Sequence, residues 1–292
     1  MQIQYSADSN SRRAKGHYMS DAFDHRRGSV LDVCGAQVYY ELAGQHAGPA
    51  LLMLHGGLGH IEDLNGILPA VAAEYRVIGI DSRGHGRSTL GREPLTYGLL
   101  QRDVEKVLAH LGIRTASVIG FNDGGVLGYR LAARSDTERV KVARLVAIGA
   151  RWRLTEKDPV VRLLEGVTAA WWKDKFPEGH ASYRRLNPEP DFDRLAAEVA
   201  RMWLDVSPAG YPARTVQAIT CPTLVVRGRQ DHLFSFPEAV ELVGLVKDSR
   251  LLNILSAGHA AFDDRKELFK ASLIEFLREE SVVSGSRVEV TG

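Results

Sequence analysis

The chain is poor in cysteine: Cys34 and Cys221 are the two among 292 residues. That excludes a disulfide-stapled scaffold and a four-cysteine zinc site. No stretch approaches the ~18 consecutive apolar residues of a membrane span, so no membrane partner is expected. An excess of one charge is missing too. Lys+Arg total 37 against Asp+Glu 36, which leaves no strong field to attract nucleic acid. The ten histidines show no H-E-x-x-H or comparable ligand spacing, and no metal is expected. Residues 1–28 lack the ~7–15-residue apolar core of a signal peptide. Asp8, Asp21 and Asp24 speak against a transit peptide. The stretch reads as a flexible tail on a cytoplasmic protein, with Met19 as an alternative start. Residues 281–292 read as a second tail, and no internal repeat lies between the two.

What the chain does have is alternation. Short apolar runs at 51–54, 77–80, 117–121, 145–149, 223–226 and 251–255 are rich in Val, Ile and Leu and bounded by Gly or Pro. Such runs predict strands buried on both faces, hence parallel. Residues 38–41 (V-Y-Y-E) predict an early, more exposed strand. Between the runs lie helical patterns. Leu100, Val104, Val107, Leu108 and Leu111 share one helix face, as do Phe269, Leu273, Phe276 and Leu277. Strands alternating with helices mean an α/β protein with a mostly parallel central sheet flanked by helices. Residues 29–150 and 214–280 carry this core. Residues 151–213 break the pattern with Trp152, Trp171, Trp172, Trp203 and a helical repeat at Leu195, Val199 and Met202. They read as a helical cap inserted over the site.

Three loops sit at the C-terminal ends of predicted strands, where open α/β sheets bind ligands. The first is H-G-G-L-G at 55–59, whose paired glycines let backbone N–H groups approach an oxyanion. The second is the turn G-F-N-D-G-G at 120–125. The third is the pair Asp231, in G-R-Q-D-H, and His259, in S-A-G-H-A. With D-S-R-G-H-G-R-S at 81–88, these motifs give the chain a resemblance to the α/β-hydrolase superfamily over about residues 29–280. The D-G-G ending of the turn resembles the valacyclovir-hydrolase-like serine esterases. That resemblance implies a nucleophile at position 122, an acid at Asp231 and a base at His259. It implies an oxyanion hole from the N–H groups of Gly57 and Asp123, and no cofactor. In that branch the acid after the nucleophile binds a substrate ammonium, a role that would fall to Asp123; the residue reads equally as an acid in the first turn of a helix, favoured by the helix dipole. Leu58, Trp171, Trp172 and Trp203 complete the expected substrate pocket.

One residue departs from the pattern. The family elbow is G-x-S-x-G, and here its central residue is Asn122. An amide has no dissociable proton near neutral pH and a delocalised nitrogen lone pair, so His259 cannot make it a nucleophile. Asn does tolerate the positive φ that an elbow requires. The leading expectation is hydrolysis of a small ester, amide or related carbonyl compound by water that a His259–Asp231 dyad activates. Two alternatives stand beside it. One is a catalytically inactive ligand-binding protein. The other is a lyase or cofactor-free oxygenase that uses the dyad to remove a proton. The partner in each case is a small molecule. The sequence specifies no oligomeric state. Cys34 and Cys221 read as small apolar fillers, and His55 and His85 as residues that frame loops.

Overall fold

The computed structural model describes residues 20–134 and 140–279. Eight strands form one sheet: β1 (Ser29–Val33), β2 (Ala36–Gly44), β3 (Ala50–Leu54), β4 (Arg76–Ile80), β5 (Thr115–Phe121), β6 (Lys141–Ile148), β7 (Thr223–Gly228) and β8 (Ser249–Ile254). Their order is β1-β2-β4-β3-β5-β6-β7-β8. β2 runs antiparallel to both β1 and β4, and every pairing from β4 to β8 is parallel. Two helices follow the strands of the first half, α1 (Tyr97–His110) and α2 (Asp123–Ala132). Four lie between β6 and β7: α3 (Val160–Glu165), α4 (Ala169–Lys175), α5 (Pro177–Leu186) and α6 (Phe192–Trp203). α7 (Phe236–Leu245) follows β7, and α8 (Ala261–Asp264) and α9 (Lys266–Arg278) follow β8.

The period of two along each strand splits the core in half. Leu52, Leu54, Ile78, Ile80, Val118, Leu145 and Val225 face α1, α2, α7 and the inserted helices. Leu51, Met53, Val77, Ile119, Val146 and Val226 face α9 and the turns at 61–72. Both faces are covered, which is why these strands read as continuous apolar runs rather than alternating ones. Register does the rest. Leu54 pairs with Ile80 on one side and Gly120 on the other; Gly120 pairs with Ala147, and Ala147 with Val225. The loops after β3, β4, β5, β6 and β7 therefore leave the sheet at one edge.

Three expectations need correction. Residues 20–28 do not hang free: Phe23 is buried against Gly79 of β4, and His25 is buried as well. Residues 1–19, with Met19, and residues 280–292 lie outside the described residues. The strand at 38–41 is buried rather than exposed, because this N-terminal strap covers it. Glu41 accepts hydrogen bonds from the Tyr39 hydroxyl (2.5 Å) and the Asp24 N–H (3.1 Å). Cys34 is no filler; it is exposed at the β1–β2 turn with φ +45°. Among the described residues no helix is long and apolar enough to cross a membrane.

Candidate active site

The elbow is built by β5 running into α2. Asn122 sits between them at φ +50°, ψ −112°. Its own N–H donates to the Ile148 carbonyl (2.8 Å), and the N–H of Gly124 donates to the His55 carbonyl (3.0 Å). Gly120 and Gly124 are required here: a Cβ on Gly124 would collide with the Leu54 carbonyl, and one on Gly120 with Gly124 itself. The Asn122 side chain turns toward the H-G-G-L-G loop, where its Oδ1 accepts a hydrogen bond from the Gly57 N–H (3.2 Å). The N–H of Asp123, at the first position of α2, has no acceptor among the described residues.

Asp231 follows β7 and His259 follows β8. The His259 Nδ1–H donates to both carboxylate oxygens of Asp231, at 3.0 and 3.1 Å. That hydrogen bond assigns the proton to Nδ1 and leaves the Nε2 lone pair without a partner among the described residues. Asp231 is buried, and the N–H groups of Leu233 (2.9 Å) and Phe234 (3.1 Å) also donate to it. Burial alone would raise its carboxyl. The hydrogen bond and charge of His259, with those two N–H groups, outweigh burial and hold it below the usual range. The imidazole lies over Gly149, where a Cβ would come 2.9 Å from His259 Cε1. Its ring also stands 5.0 Å from that of Phe121.

The loop that carries Gly57 is fixed from below. His55 donates from Nδ1 to the Gly56 carbonyl (2.7 Å) and accepts at Nε2 from the Ser82 N–H (2.9 Å). Burial pushes its pKa down to about 3, so it stays neutral and can accept. Ser88 is a turn residue: its hydroxyl donates to the Asp81 carbonyl (2.7 Å) and accepts from Tyr39 N–H (2.8 Å). His85 bonds the Arg83 carbonyl (2.9 Å).

A cavity of about 840 Å³ opens over these groups. Asn122, Asp123, His259, Gly57 and Leu58 form its floor, and it is roofed by Leu163 of α3, Trp171 and Trp172 of α4, and Phe176 between α4 and α5. Trp203, from the end of α6, reaches the floor as well. Its indole N–H donates to Asp123 at 2.8 and 2.9 Å, and the Tyr97 hydroxyl donates to the same carboxylate (2.8 Å). Asp123 therefore turns inward instead of serving as an exposed first-turn acid. Burial raises its pKa to about 6, opposed by those two neutral donors. Trp152 lies elsewhere: it is buried, with its indole N–H donating to the Glu238 carbonyl (3.3 Å) of α7. Tyr97, Tyr211 and Arg151 line the cavity without having been singled out in the sequence. Arg151 carried one usable signal, its place just after the C-terminal end of β6. Its charge is already engaged by Glu238 and Asp158, both at 3.1 Å.

A family model described as the alpha/beta hydrolase fold matches residues 49–183. An AB hydrolase superfamily protein of Bacillus subtilis, YisY, is 26% identical over 225 residues, spanning 69% of this chain and 81% of that protein. A non-heme haloperoxidase of Rhodococcus erythropolis is 27% identical across 83% of this chain and 96% of its own. Among solved structures, a hydrolase from Pseudomonas aeruginosa PA01 superposes with a TM-score of 0.69 at 22% identity, covering 88% of this chain and all of that one.

Proposed function

We propose that this chain of the α/β-hydrolase superfamily hydrolyses a small, largely apolar ester, amide or related carbonyl compound. The observation that supports the reading is the His259–Asp231 pair, with Nε2 unpartnered among the described residues and His259 lining the same cavity as Gly57 and Asp123. Nε2 takes a proton from water as the oxygen attacks the carbonyl carbon. The oxyanion rests on the two N–H groups, and His259 returns the proton to the leaving group. Asn122 must swing its Oδ1 off the Gly57 N–H to admit the substrate oxygen. Losing that neutral hydrogen bond costs about 1 kcal/mol, or less than tenfold. The missing nucleophile costs far more, about 10⁶ in turnover in a well-studied serine protease. The Asp123 carboxylate, bonded only by neutral donors, favours substrates with an ammonium near the acyl carbon.

Asn122→Ser should raise turnover across a panel of small esters by at least ~10³-fold. It should also create stoichiometric labelling by a fluorophosphonate, which the unaltered chain should resist. An Asn122→Ser variant that folds but hydrolyses no ester would refute the hydrolytic reading. A second reading, a ligand-binding protein without turnover, is favoured by the side chain that already fills the Gly57 N–H. It predicts tight binding of apolar carbonyl compounds by the unaltered chain, unaffected by His259→Ala.

A further inference from the structure

Asn122 brings its own amide to the place where a substrate carbonyl would bind. Its Oδ1 accepts from the Gly57 N–H at 3.2 Å, the donor that would hold a substrate oxyanion. Its Nδ2 has no partner among the described residues, so nothing ties down the leaving group. The side chain is half-buried and lines the cavity together with His259. The two residues are also joined through one short stretch of backbone. Asn122 N–H bonds to Ile148, and the His259 ring packs on the next residue, Gly149. One cavity therefore holds a primary amide with its oxygen on a hydrogen-bond donor and a base whose lone pair has no partner among the described residues.

We infer that the site hydrolyses the Asn122 side chain itself, giving an aspartate at position 122 and free ammonia. The co-reactant is one water molecule from the cavity. His259 Nε2 removes a proton as the water oxygen forms a bond to Cγ. The carbonyl electron pair moves onto Oδ1, held by Gly57 N–H. The pair then returns, the Cγ–Nδ2 bond breaks, and His259 delivers its proton to the departing nitrogen. One amide and one water become one carboxylic acid and one ammonia, with no redox change. The product differs in chemistry from the encoded residue, because a carboxylate is competent for covalent catalysis where an amide is not. The proposal rests on the hydrolytic reading of the dyad, and it makes the encoded Asn a precursor.

The direct route competes with a second one, in which the Asp123 backbone nitrogen attacks Cγ and closes a succinimide. Only the succinimide opens to a mixture of aspartate and isoaspartate. Purified full-length protein, sampled promptly and then incubated at 37 °C and neutral pH, is digested with trypsin. Cleavage after Arg114 and Arg130 isolates residues 115–130, which contain a single Asn. The peptide should gain one dalton with first-order kinetics, or already carry it in the first sample. The product should be aspartate without isoaspartate, and Asn65, Asn187 and Asn253 should stay intact. His259→Ala should keep its amide, converting roughly 10²-fold more slowly or less. An unconverted Asn122 in the unaltered protein, conversion at equal rate in His259→Ala, or an isoaspartate-containing product would each overturn the inference. The two readings fail separately. An Asn122→Ser variant active on esters, beside an Asn122 that never converts, leaves the hydrolytic site standing and removes only the self-hydrolysis.

Discussion

At position 122 two properties that an elbow usually combines in one residue are separated: tolerance of positive φ and a nucleophilic atom. Asn supplies the first, and the turn keeps its hydrogen bonds to Ile148 through Asn122's own N–H and to His55 through the N–H of Gly124. Next to it, Asp123 presents a different conflict. A carboxylate buried with neutral donors alone is poorly compensated, and its pKa rises to about 6. Only the ionised form attracts a cation. The pull on a substrate ammonium should be present above about pH 6 and lost as the pH falls through it. A charge-assisted hydrogen bond of about 1.5–3 kcal/mol corresponds to roughly ten- to a hundredfold in affinity. In the Asn122→Ser background, KM for α-amino esters should fall relative to the desamino analogues between pH 5 and 7, below the titration of the substrate amine. Asp123→Asn should flatten that ratio without removing hydrolysis. A pH-independent ratio would assign Asp123 to holding Tyr97 and Trp203 alone.

At the scale of elements, the N-terminal strap is held by one titratable clasp. His25 reaches Glu62 through Nδ1 (2.6 Å) and Asp81 through Nε2 (2.8 Å), stacks on Tyr39 and meets His60 edge-on. Arg87 donates to its carbonyl (2.6 Å). Burial alone would lower the His25 pKa, but the two carboxylates overcome it and raise it to about 9. The folded value lies above the unfolded one. The clasp's stabilisation is therefore complete below about pH 6.5 and is lost as pH rises through about 9. Trypsin cleavage after the exposed Arg26 and Arg27, normalised to a peptide substrate, should be slow at pH 7 and accelerate near pH 10. His25→Ala should be cut readily at both; equal normalised rates for the unaltered chain would show that the strap is held by Phe23 alone. This clasp was illegible in the sequence. Residues 20–28 are polar and read as tail, and the carboxylates that pair with His25 lie 37 and 56 positions away. The parallel strands were legible because burial on both faces leaves uninterrupted apolar runs. β1 was not: S-V-L-D-V alternates weakly, and its outer edge is half exposed.

In the whole molecule, the sequence displayed the loops that meet at the sheet edge but not what joins them above it. Asp231 and His259 could be placed by their order along the chain. The Trp203–Asp123–Tyr97 cluster could not, since it binds the end of the inserted helices to the start of α2 across 80 positions. That cluster also bears on how the molecule unfolds. Val160, Leu164, Leu195, Val199, Met202 and Trp203 of the inserted helices belong to the same continuous hydrophobic cluster as Leu54, Val118 and Val126 of the core. An insertion that shared no core would melt separately, as domains with small polar interfaces do. An insertion that shares one should melt with it. All four tryptophans lie at 152–203, in the inserted helices and the segment that leads into them, so their fluorescence reports on the insertion while far-ultraviolet circular dichroism reports on the whole chain. Thermal unfolding followed by the two signals should give coincident midpoints. Trp203→Phe keeps the ring packing but removes the indole N–H. It leaves the buried Asp123 carboxylate one donor short, at a cost of about 1–3 kcal/mol, and should lower both midpoints together. A fluorescence transition that precedes the dichroism transition, or one that Trp203→Phe moves alone, would mean that the inserted helices open as a separate unit above the cavity.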